Sequence, residues 1–80
     1  MATDGAIRAV LGDLARRRGR GASFCPSEAA RALAEDWRPL MPEVRRIAGA
    51  MQAEGALRAT QGGVPVDPVA AKGPIRLSLA

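Results

Sequence analysis

Arg45 and Arg46 stand side by side within the stretch Met41 to Gln61, which also holds Arg58, and Arg38 and Lys72 lie to either side of it along the chain. A guanidinium offers a planar fork of donors for two-point contact with a phosphate or a base edge, and lysine adds a compact positive charge. These five residues are therefore the candidate nucleic-acid contacts. No acid–base or ligand set accompanies them. The chain has no histidine and one cysteine, Cys25, so a zinc site lacks ligands and a nucleophilic thiol lacks an ordinary general base. The carboxylates are scattered over expected helix surfaces, and neither a P-loop nor a glycine-rich dinucleotide loop is present. The expectation is a binding domain and not an enzyme, without catalytic residues, metal or cofactor.

The element that must position the arginine pair is a helix. Val44, Ile47, Ala48 and Met51 follow the i, i+3, i+4, i+7 rule and line one face. At about 100° per residue, Arg46 points nearly opposite that face together with Pro42, Gly49 and Ala53, while Arg45 sits at its shoulder. This third helix is expected from Pro42 to Glu54, with Gly55 stopping it. Before it, Arg38-Pro39-Leu40-Met41-Pro42 is broken by two prolines, and a short helical turn is expected near Trp37 to Leu40. Trp37 itself is read as a packing wedge at that corner, since large side chains are scarce in this chain.

Ahead of these, Ile7, Val10, Leu11 and Leu14 give a first helix over Asp4 to Arg18, with Thr3 or Asp4 as its cap and Gly19 ending it. Arg16, Arg17 and Arg18 crowd its last turn, where the helix dipole favours positive charge, and they are read as a solvated face. A minimal strand, Ala22 to Cys25, precedes Pro26, which opens a second helix reaching about Ala34. Glu28 is placed to reach back toward Cys25 at the cap. After Gly55, Leu57 and Ala59 alternate with Arg58 and Thr60, and Ile75, Leu77 and Leu79 alternate with Arg76 and Ser78, giving two strands that pair antiparallel. Gly62-Gly63 turns the chain, Val64 to Pro68 is extended, and Ala70 to Pro74 is loop. The long tip between the strands carries Lys72, flanked by Arg58 and Arg76.

Eighty residues make one domain, 1–80, with a small and simple core. Eleven of the twelve basic residues are arginine and the net charge is +4, which favours anionic partners, although arginine and alanine abundance also accompanies GC-rich coding. Positive charge falls before and after the second helix, whose own segment is net negative. The lone cysteine gives no sign of an oxidising compartment, the first residues do not read as a signal peptide, and no stretch is long enough to cross a bilayer. A bacterial-type cytoplasmic protein with no membrane partner is expected.

The order helix, strand, helix, turn, helix, strand, loop, strand is that of a winged helix-turn-helix, mainly α with a small antiparallel β-hairpin, three helices plus a wing. Phe24-Cys25-Pro26-Ser27-Glu28, Asp36-Trp37-Arg38, Met41-Pro42-Glu43-Val44-Arg45, Gln61-Gly62-Gly63 with Pro65-Val66-Asp67-Pro68, and Gly73-Pro74-Ile75-Arg76-Leu77 resemble a small bacterial family of unknown function. The resemblance covers nearly the whole chain and implies a winged-helix fold without implying an activity. The functional expectation is electrostatic DNA binding, with the third helix in a groove and Arg45, Arg46 and Arg38 at the contact, supported by Arg58 and Lys72 from the wing. The alternative is a protein-interaction adaptor on the same fold that does not bind DNA.

Overall fold

The computed structural model describes residues 2–80. Helix α1, Asp4–Arg18, is capped as its sequence dictates: the Ala6 N–H donates to Thr3 Oγ1 at 3.1 Å, and the Gly19 N–H closes the far end on the Ala15 carbonyl at 3.0 Å. Strand β1, Ser23–Phe24, leads into α2, Pro26–Leu33. There Pro26 occupies the first turn, where no intrahelical partner is lost, and Glu28 Oε2 accepts the Cys25 N–H at 3.0 Å. One 3₁₀ turn, Arg38–Leu40, runs directly into α3, Met41–Ala53. Strands β2, Leu57–Gln61, β3, Val64–Pro65, and β4, Arg76–Leu79, complete the chain.

The sheet is antiparallel with order β1-β4-β2-β3. Three helices and a four-stranded sheet give a mixed α+β fold with a winged-helix-type topology. Leu57 lies opposite Leu79 and Ala59 opposite Leu77, so the alternation seen in sequence puts Leu57, Ala59 and Leu77 on one buried face. Phe24 joins them from β1. The helices close over that face with Ile7 and Leu11 of α1, Ala29 and Ala30 of α2, and Val44, Ile47, Ala48 and Met51 of α3. Alanines at the helix contacts let the rods approach closely, which is how a chain with two aromatic residues fills its interior. Trp37 is half-buried at the corner, and the guanidinium carbons of Arg31 and Arg38 lie 4.6 and 4.7 Å from its ring centroid.

Two features depart from the expected hairpin with an open tip. The first is β3, which pairs with β2 through Thr60–Pro65 and Gln61–Val64. Gly62 and Gly63 form the two-residue connection with φ of 58° and 82°, the left-handed pair that a tight hairpin of this hand requires. The second is the segment 66–73, which does not project as a wing tip but lies along α3. Asp67 organises it, accepting the Val69 N–H on its side chain at 2.9 Å and the Ala71 N–H on its carbonyl at 2.9 Å. Pro68 is fully buried beneath it.

Candidate nucleic-acid interface

On α3, positions 45, 49 and 52 follow one another at i, i+4 and i+7, and all three hold the returning segment. Arg45, half-buried, donates to the carbonyls of Ala71 at 2.8 Å, Gly73 at 2.7 Å and Pro68 at 3.4 Å. Gly49 allows the close approach: a methyl group there would stand 3.2 Å from Val69 Cγ2 and 3.6 Å from Pro68 Cγ. Gln52 donates to the Val66 carbonyl at 2.9 Å and accepts the Ala59 N–H. Gln61 adds a tie from β2, donating to the carbonyls of Lys72 at 2.6 Å and Pro74 at 3.1 Å. A segment whose carbonyls are satisfied by side chains from two elements is a strap, and the face of α3 formed by positions 45, 49 and 52 lies beneath it.

The expectation that Arg45 and Arg46 project together from α3 toward a groove is thus corrected. Arg45 is spent on the strap. Arg46 is solvent-facing but clamped between Glu43 Oε2 at 2.6 Å and Asp4 Oδ1 at 2.7 Å. Those two carboxylates, Glu43 first, push its pKa further up, so the charge is permanent but locally matched. Gly49, expected on the exposed face, is likewise under the strap. Arg38 is exposed, and its guanidinium lies over the ring of Trp37.

Arg58 and Lys72 are exposed, and among the described residues no carboxylate lies within ion-pair distance of either. They are not joined by the α3 arginines. Arg58 stands instead on the open face of the sheet, in one row with Ser78 and Ser23. The next row pairs Thr60 with Arg76. Arg76 is held by Ser23, donating to its hydroxyl at 2.9 Å and its carbonyl at 2.8 Å. Arg20, from the turn after α1, completes a concavity of about 360 Å³ with Ser23, Arg58, Thr60 and Ser78. Arg20 also has no carboxylate partner among the described residues.

Three arginines of α1 are by contrast paired with carboxylates. Arg8 makes a two-point contact with Glu54 at 2.6 Å, Arg17 pairs with Asp13 at 3.0 Å, and Arg18 pairs with Glu28. The Arg8–Glu54 and Arg18–Glu28 pairs tie α1 to the end of α3 and the start of α2, while Arg17–Asp13 lies within α1. The Cys25 N–H, followed by Arg18, holds the Glu28 carboxyl below its ordinary range. Arg8 does the same for Glu54.

Strand alternation puts Arg58 with Thr60 and Arg76 with Ser78, whereas Arg20 lies in the turn after α1, outside any periodic element. Alternation alone does not join them, because the order β1-β4-β2 sets the rows and nothing in the periodicity encodes it. The contacts of Gln52 and Gln61 depend on where the strap lies and carry no local sequence signal. Among the described residues no helix is long and apolar enough to cross a membrane. A search of curated proteins finds no match. A family model described as a protein of unknown function (DUF3253) matches residues 4–80, and the chain belongs to that family.

Proposed function

We propose that this domain binds nucleic acid by its phosphate backbone, using the open face of the sheet in place of α3, and that it acts by binding alone. The observation that supports the reading is the row of hydroxyls and unpaired guanidinium groups formed by Arg20, Arg58, Ser23, Thr60 and Ser78, beside Arg76. Arginine forks and serine or threonine hydroxyls are the donors that phosphate oxygens accept from. No aromatic stacks bases there, since Phe24 is buried inward and Trp37 lies at the helical corner. The contact is therefore electrostatic and indifferent to sequence. Lys72 extends the positive charge along the strap. The DNA-binding reading through Arg45 and Arg46 loses its support, because neither guanidinium is left unmatched.

The test is fluorescence anisotropy with a short duplex of random sequence across a salt series. Log affinity is expected to fall with log salt by about 0.9 for each phosphate neutralised, hence with a slope of roughly −3 if three arginines engage. Arg20→Glu with Arg58→Glu should weaken binding by tenfold or more, on the order of the 1.4 kcal/mol that factor represents. Arg46→Ala should leave it within about twofold. An affinity that ignores salt, or a double variant that binds as before, overturns the reading.

A further inference from the structure

A second open feature lies on the other side of the molecule, where the start of α1, the end of α2 and the 3₁₀ turn leave a groove of about 950 Å³. Its apolar walls come from Leu33, Leu40, Ala6 and Pro39. Among the described residues its charged lining is Asp4, Asp36 and Glu43, with no lysine or arginine. Arg46 matches part of the charge of Asp4 and Glu43, while Asp36 pairs with no cation among the described residues. The carbonyl end of α2 opens here too, adding partial negative charge. An apolar cleft at the upper end of the usual pocket range, about 300 to 1,000 Å³, with a negative border selects apolar side chains flanked by cations and repels a polyanion.

We propose that this groove receives a segment of a partner protein in which apolar side chains sit beside lysine or arginine, as on a basic amphipathic helix. Apolar residues of the segment lie against Leu33 and Leu40, and its cations face Asp36 and the Asp4–Glu43 edge. The groove and the basic sheet face occupy different elements, so one domain can hold a protein segment and a phosphate backbone together.

The probe is an amphipathic helical peptide of leucine and lysine, with its leucine–glutamate counterpart as control, titrated into the isotopically labelled full chain and followed by amide NMR shifts. The lysine peptide is expected to move Ala6, Leu33, Asp36 and Leu40, and the glutamate peptide to move none of them. Asp36→Lys, at an exposed position that makes no ion pair among the described residues, should weaken the lysine peptide by about tenfold with no change in thermal midpoint. Leu33→Gln should weaken it by a similar factor. Equal response to both peptides, shifts confined to other surfaces, unchanged binding by Asp36→Lys, or displacement of the same four signals by duplex DNA would each overturn the proposal.

Discussion

Helix α3 and the open face of the sheet carry the same side chain and use it in opposite ways. Arg45 and Arg46 are turned back on the molecule, one toward three strap carbonyls and the other toward two carboxylates. Arg20 and Arg58 are exposed and line a concavity together with Ser23, Thr60 and Ser78. The difference arises from what lies within reach of each guanidinium. A helix face beside a loop rich in proline and glycine meets carbonyls that no secondary structure satisfies, and a charged donor fills them. On the sheet, the carbonyls of the central strands belong to the ladder, and the backbone acceptor used on this face, the Ser23 carbonyl of edge strand β1, goes to Arg76 and not to Arg20 or Arg58. An arginine pair on a predicted recognition helix is therefore weak evidence of a ligand until the loop that follows has been placed.

Substitutions at the strap should separate the two regions most sharply. Arg45→Ala removes three hydrogen bonds from a charged donor, and with partial exposure discounting them the expected loss is about 2 kcal/mol, or roughly 10 °C in midpoint for a domain of this size. Thermal unfolding by circular dichroism measures it, and a loss near zero would mean the strap is held by something else. Gln52→Leu should follow at about 1 to 2 kcal/mol, because it strands the Val66 carbonyl and the Ala59 N–H together. Hydrogen exchange at Ala59 is its most local readout. Arg46→Ala should cost less than either, as exposed pairs do. Arg58→Ala should stay within about 0.5 kcal/mol of the parent, since no partner is lost.

Acid sharpens the same contrast from the carboxylate side. Glu28 and Glu54 have folded-state pKa values below their ordinary range, set chiefly by the Cys25 N–H and by Arg8. The unfolded chain thus takes up protons first as pH falls. Their stabilisation is complete above the ordinary glutamate pKa and is lost progressively as pH drops through the depressed folded values. Urea midpoints should decline over that acidic interval. Glu28→Gln should flatten the decline, whereas Arg58→Ala should leave its shape unaltered.

Much of the fold was legible because its signals are local. The spacing of Ile7, Leu11, Val44, Ile47 and Met51, the cap at Thr3, Pro26 at the first turn of α2, and the alternation from Leu57 and from Ile75 each depend on neighbours within a turn or two. The candidate site was far less legible. Arg46 meets Asp4 across 42 positions and Arg45 meets Gly73 across 28, so these partners cannot be read from helical periodicity, whereas Glu43, one turn before Arg46, can. One clue was available in Asp67-Pro68-Val69, an aspartate poised to bond the amide two residues on, which marks an ordered turn where a loose wing tip was expected. Pairing of β3 was hidden by Pro65, a residue that argues against a strand except at a sheet edge, where β3 in fact lies.

The contrast between the two regions is tested most directly by side-chain NMR of the arginine guanidinium groups during titration with duplex DNA at low salt. Signals from Arg20, Arg58 and Arg76 should shift together and return as salt is raised, while Arg45 and Arg46 stay in place and the amides of 66–73 keep their protection from exchange. Movement of Arg45 and Arg46, with loss of protection along the strap and silence on the sheet, would contradict it.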